Sequence, residues 1–176
     1  MAERDRLGRR EFLLRTARAA GIAGPTLLLL EGRVSAIEKS EASDLEILYA
    51  SLTLEHHAIA LYDEGLKRNL FPAGLRRYAV DFRGDHLGHR DTQIAIAEER
   101  GGRPPRPLAS YDFGSLGSGD HLLREAMRIE LAAQDAYRAL ISQIRSQDYM
   151  LAAAFVLVDE VRHLTVWRRV LGMKIY

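Results

Sequence analysis

Cysteine is absent from the 176 residues, which removes disulfide frameworks, thiolate metal sites and cysteine nucleophiles together. Any bound metal must be held by oxygen and nitrogen ligands. Proline is scarce, with five in the chain, and proline and glycine cluster near the start, around Pro72 and between Gly101 and Gly119. Long stretches rich in Ala, Leu, Arg and Glu are therefore left free of helix breakers. A charge excess of one sign is missing too. Past residue 36 the chain carries eighteen basic and twenty acidic residues, so no basic footprint argues for nucleic acid. No apolar run reaches the ~20 residues needed to span a bilayer.

What is present begins with an address. Arg4, Arg6, Arg9, Arg10, Arg15 and Arg18 precede an apolar stretch over 19–30, broken by Gly24-Pro25, and Val34-Ser35-Ala36 follows as a small-residue cleavage pattern. That is the order of a removable signal peptide. Arg9-Arg10-Glu11-Phe12-Leu13 resembles the twin-arginine export signature. The expectation is a signal over 1–36, recognition by the twin-arginine machinery, a periplasmic or other extracytoplasmic location, and a mature domain over 37–176. The resemblance implies export in the folded state, which suits a domain that acquires metal before crossing.

The mature region predicts four helices. Ser43-Asp44 offers an N-cap for a first helix running to about Asn69. A second is expected from about Ala73 to Arg100, a third from Asp120 to Ser146, and a fourth from Asp148 to Leu171, ahead of Gly172. Gly101–Gly119 forms a long crossover loop. Each helix carries a seam of core positions at spacings of three and four. The first reads Leu45, Leu48, Leu52, Glu55, Ile59, Tyr62, Leu66, and the second Leu75, Ala79, Phe82, His86, His89, Gln93, Ile96. The third reads Leu123, Met127, Glu130, Gln134, Tyr137, Ile141, Ile144, and the fourth Tyr149, Ala153, Val156, Glu160, His163, Trp167, Val170. Short connections within each half and one long crossover between them predict an all-α, antiparallel four-helix bundle.

The two halves repeat. Glu55 and Glu130 each stand seven residues before a tyrosine, Tyr62 and Tyr137, and each is followed at a similar distance by a histidine, His89 and His163. A pseudo-twofold bundle brings the middles of such seams to one level. Three core carboxylates are costly unless compensated, and two divalent cations would compensate them. Glu55, Glu130 and Glu160-Val161-Arg162-His163 fit a di-metal pattern of one Glu from each of two helices and Glu-x-x-His from the others. The second helix departs from it, with His86-Leu87-Gly88-His89. There His86 replaces a carboxylate, and Asp85, on nearly the same face as His89, is the alternative oxygen ligand. Tyr62 and Tyr137 read as core residues with bonded hydroxyls. His56 and His57, without counterparts in the other half, read as surface or supporting residues, and His121 as exposed.

These features resemble exported bacterial ferritin-like domain proteins over about Asp44 to Gly172. The resemblance rests on Leu54-Glu55 with Tyr62, His89, Gly101-Gly102-Arg103-Pro104-Pro105 leading to Tyr111-Asp112-Phe113, Ile129-Glu130 with Tyr137, and Asp159-Glu160-Val161-Arg162-His163. It implies a ferritin-like bundle holding two divalent ions, iron first and manganese second. Oxygen-rich and imidazole ligands suit both metals. In this reading Glu55, Glu130 and Glu160 ligate and bridge while His89 and His163 cap the two ions. Ferroxidase or other oxygen or peroxide chemistry is the expectation. A non-catalytic envelope scaffold with a degenerated site, marked by His86, is the alternative, and a homo-oligomer is left open.

Overall fold

The computed structural model describes residues 24–175, together with Glu11, Leu14, Arg15 and Arg18 from the segment before them. Arg9, Arg10, Phe12 and Leu13, which carry the export resemblance, lie outside the described residues. All regular structure among the described residues is helical. A short helix α1 (Gly24–Leu30) precedes the four long helices α2 (Glu41–Lys67), α3 (Arg76–Glu99), α4 (Gly119–Leu140) and α5 (Gln147–Val170). These four form an antiparallel bundle. α2 packs against α3 and α4, α4 against α5, and the α3–α5 seam is the loosest of the four adjacent pairs. No helix among the described residues is long and apolar enough to cross a membrane.

The boundaries follow from where unpaired backbone groups find partners. α2 begins at Ser40 rather than at Ser43-Asp44. The Ser40 hydroxyl accepts from the Ser43 amide and the Ser43 side chain accepts from the Ser40 amide, a reciprocal capping box. Asp44 is thereby released for a longer-range task. Its buried carboxylate accepts from the amides of Arg145 (2.7 Å) and Ser146 (2.9 Å). Those amides would have bonded internally had the third helix continued to Ser146 as expected. Instead it ends at Leu140, tightens into a 3-10 turn over Ile141–Gln143, and turns extended at Ile144. The second helix likewise starts with a 3-10 turn at Ala73–Leu75, and α-helical geometry begins at Arg76.

The core runs along the bundle axis through Leu48, Leu52, Leu61, Tyr62, Leu122, Ile129, Leu140, Tyr149 and Trp167, all almost fully buried. α1 lies against α2 and α4, with Leu29 in the core and Thr26 donating to Glu46 (3.1 Å). Val34 and Ile37 also rest against the core. The crossover between α3 and α4 is tied down along its length. Gly101 takes a positive φ of 71° after the helix end, and a side chain at Gly102 would run into the Tyr49 hydroxyl and the Ala97 carbonyl. Tyr49 accepts from the Arg103 amide (2.6 Å) and Arg68 donates to the Leu116 carbonyl (3.0 Å). His56 meets the Pro105 carbonyl at 3.1 Å, and the His57 ring meets Tyr111 and Phe113 edge-on. Both histidines are buried, so they fasten the loop rather than serve the surface.

Candidate metal centre

Halfway along the bundle the four apolar seams are interrupted at one level. Glu55 comes from α2, His86 and His89 from α3, Glu130 from α4, and Glu160 and His163 from α5. Their ligating atoms fall into two overlapping groups, Glu55/His86/His89/Glu160 and His86/Glu130/Glu160/His163, each with its atoms within 4.8 Å of one another. Glu160 and His86 belong to both. Five of the six side chains are no more than 1 % exposed, and His89 is 11 % exposed. Glu130 Oε2, both oxygens of Glu160, and Nδ1 of His89 and His163 are buried there without a hydrogen bond. Buried polar atoms are ordinarily satisfied. Five orphans converging on one small volume are the donor set that one or two cations would complete.

The surrounding residues aim this set. His163 Nε2 lies 3.1 Å from Asp85, and His89 Nε2 lies 3.2 Å from Asp159. A charged carboxylate only accepts, so each Nε2 carries a hydrogen and each Nδ1 faces inward. Arg162 joins the two pairs, contacting Asp85 at 2.5 Å and Asp159 at 3.2 Å. On the opposite side Tyr62 donates to Glu130, and Trp167 Nε1 donates to the Tyr62 hydroxyl (2.7 Å). Tyr137 donates to Glu55 (2.8 Å) and takes a bond from Gln93 (2.8 Å). Gln93 extends the network through Ser51 to Tyr149. Phe82 stacks on His163 at 4.0 Å between ring centres, which helps to seal that end from water.

Electrostatics divides the cluster. Burial opposes charge on Glu55, yet the hydrogen bond from His86, with His89 beside it, holds the carboxyl down to about 2. Burial also opposes charge on Glu130, but His86 and His163 hold it well below the usual range. Burial lifts Glu160 well above that range, helped by Glu130 and Glu55 and opposed by His86. The carboxylates overcome the burial of the two imidazoles, raising His86 far above its ordinary value and His89 to about 9. The imidazoles of His86 and His89 thus favour charge on Glu55, and His86 with His163 favours it on Glu130, while burial and the neighbouring carboxylates disfavour it on Glu160. Buried carboxylates at the seams do not by themselves demand a metal.

The structure thus gathers Glu55, His86, His89, Glu130, Glu160 and His163 and separates Asp85 from them. Asp85 is 32 % exposed, lies outside both groups, and faces His163 and Arg162. His86 occupies the shared position instead, with Nδ1 2.8 Å from Glu55 and Nε2 3.4 Å from Glu130. Tyr62 and Tyr137 are core residues with bonded hydroxyls, as expected, and each hydroxyl lands on one of the cluster carboxylates. Gln93 and Trp167 were read only as seam positions and Asp159 only as part of the Asp159–His163 run, none of them with a role at the centre. The available signal was register, because Gln93 and Trp167 each stand one turn beyond a cluster histidine on the same face.

Comparison with known proteins agrees with the fold. Residues 43–173 match the family described as ferritin-like domain. A solved structure, described as a conserved hypothetical protein, rv2844, from Mycobacterium tuberculosis, superposes with a TM-score of 0.70 at 27 % identity, covering 75 % of this chain and 99 % of that one. No curated protein matches. With a ferritin-like bundle, a cluster at its centre and a family match over most of its length, the chain belongs to the ferritin-like domain family.

Proposed function

We propose that this is an exported di-metal carboxylate protein that binds two iron or manganese ions and performs ferroxidase or related oxygen or peroxide chemistry. The observation that supports this most directly is the set of five buried, unbonded ligand atoms shared among Glu130, Glu160, His89 and His163. When bound, two such ions would each lose one electron and together deliver two electrons to dioxygen or peroxide. The protein's part is to hold the donors. Glu55, His89 and Glu160 would form one half-site and Glu130, His163 and Glu160 the other, with His86 between them. Tyr62 and Tyr137 orient the Glu130 and Glu55 carboxylates, while Asp85 and Asp159 fix the imidazoles. Tyr62, Phe82 and Trp167 exclude water from one end.

Metal analysis and ferrous oxidation by dioxygen test this together. Glu130→Ala and Glu160→Ala should each lower metal affinity by at least ~10-fold, since even a residue that merely orients a ligand has an effect of that scale. Oxidation should fall in parallel. Full metal content in both variants would remove these residues from the centre.

The imidazoles set among the carboxylates support a second reading, a scaffold in which His86 replaces the metal electrostatically. Its imidazole bonds Glu55 at 2.8 Å and lies within 3.6 Å of both other glutamates. Wild-type protein without stoichiometric transition metal would favour it.

Export is supported by Arg9-Arg10, the short apolar run and Val34-Ser35-Ala36. The exported protein should begin at or near Ile37, and Arg9→Lys with Arg10→Lys should abolish most export. An intact N-terminus on exported protein would point to an anchor.

A further inference from the structure

The pseudo-twofold repeat is broken at one position beside the centre. On α5 the order is Asp159-Glu160-Val161-Arg162-His163, and on α3 it is Asp85-His86-Leu87-Gly88-His89. Arg162 and Gly88 are therefore equivalent. Arg162 lies over the seam between the two helices, against Asp85 and Asp159. At Gly88 an added Cβ would meet nothing within 4 Å among the described residues. The histidines that follow differ in the same sense. His163 is completely buried, whereas His89 is 11 % exposed, with its partner Asp159 32 % exposed.

At the His163 end of the same seam the ring is fully buried. A groove of about 580 Å³ lies over Gly84 and Asp85, but it ends against the Arg162–Asp85 pair and the Phe82 ring stacked on His163. On the Gly88 side the ligand-bearing ring of His89 keeps 11 % of its surface exposed. There Asp159 offers a partly exposed carboxylate one contact from His89, whose Nδ1 faces the Glu55 and Glu160 carboxylates at 3.5 and 3.6 Å. The nearby Arg90 side chain is held by Asp91 at 2.7 Å, and Arg162 is held by Asp85 and Asp159. Neither cation is left as an unbalanced barrier to a divalent ion.

Resting on the di-metal reading above, we propose that divalent metal reaches the centre through the α3–α5 seam at Gly88, passing Asp159 and His89, and that the missing counterpart of Arg162 keeps this passage open. The variants Gly88→Arg and Gly88→Gln restore bulk there with and without charge. Both replace a helix-interior glycine by a better helix former at an open position, so the bundle should fold, which circular dichroism would verify. Gly84→Gln places the same bulk in the blind groove as a control.

The test is stopped-flow association of Co²⁺ with the metal-free protein, followed by visible absorption, alongside the equilibrium number of Co²⁺ bound. Both Gly88 variants should bind at least about tenfold more slowly, equivalent to ~1.4 kcal/mol on the barrier. Their final stoichiometry should match wild type, and Gly84→Gln should keep the wild-type rate. Gly88 variants that load at the wild-type rate, or slowing confined to Gly84→Gln, would overturn the passage while leaving the di-metal reading intact. Wild-type protein that binds no Co²⁺, Mn²⁺ or Fe²⁺ at equilibrium would overturn both.

Discussion

Glu160 lies between the two halves of the cluster with neither carboxylate oxygen hydrogen-bonded, and beside it His89 holds a proton up to about pH 9. Metal and proton compete for that imidazole, which gives a prediction at the scale of single residues. Metal binding below pH 9 should release protons, and affinity should climb as pH rises from about 6.5 towards 9. Without metal the sign of the stability effect is opposite. A histidine whose folded value is raised stabilises the fold fully below its unfolded value and loses that contribution as pH rises through the folded one. The metal-free protein should therefore lose thermal stability between about pH 6.5 and 9, and the metal-loaded protein should not. Titration with proton counting and paired melting curves would check this, and identical alkaline profiles would contradict it. Glu55, His89, Glu130, Glu160 and His163 were legible because each interrupts an apolar seam. The choice between Asp85 and His86 was not, because neighbours on a helix differ by only 100° in direction, and the carboxylate turned outward to bond His163 across the seam.

At the scale of elements, all four helices were legible from their spacing of three and four, but several ends were not. Asp44 was read as a local cap and instead bonds the turn a hundred residues away, a partner that no local pattern displays. The crossover loop shows the same limit. Its Gly-Gly-Arg-Pro-Pro sequence marked it as a loop, while its fasteners, Tyr49, His56 and His57, lie off the seam read for the first helix, where no local pattern shows that a distant loop will cover them. Burial, with Arg128 nearby, lowers His57 to about 4. A histidine lowered in the folded state costs stability once pH falls below its unfolded value, because the unfolded chain then binds the extra proton. Acidification from about pH 6.5 towards 4 should therefore loosen the contact with Tyr111 and Phe113. Hydrogen exchange over residues 101–118 should quicken in that window, and His57→Phe should lessen the change. Exchange in the loop that is flat with pH would contradict this role for His57.

Across the whole molecule, the ferritin-like bundle followed from patterning because a long crossover joining two hairpins leaves few arrangements that bury all four seams. The charge state of its centre did not follow, because it depends on distances that only packing sets. Three glutamates at seam positions suggested two cations, yet packing also sets two imidazoles against them, His86 2.8 Å from Glu55 and 3.4 Å from Glu130, and His89 3.5 Å from Glu55. The decisive comparison is thermal unfolding of the wild-type protein purified from its native host with its metal content measured, before and after chelation and after reloading with iron or manganese. A ligand bound only by the folded state raises stability by mass action, by about 2.7 kcal/mol at one hundred times its dissociation constant. The predicted result is stoichiometric transition metal, a lower melting temperature on chelation, and recovery on reloading. Metal-free wild-type protein whose unfolding is unmoved by either ion would contradict the di-metal function.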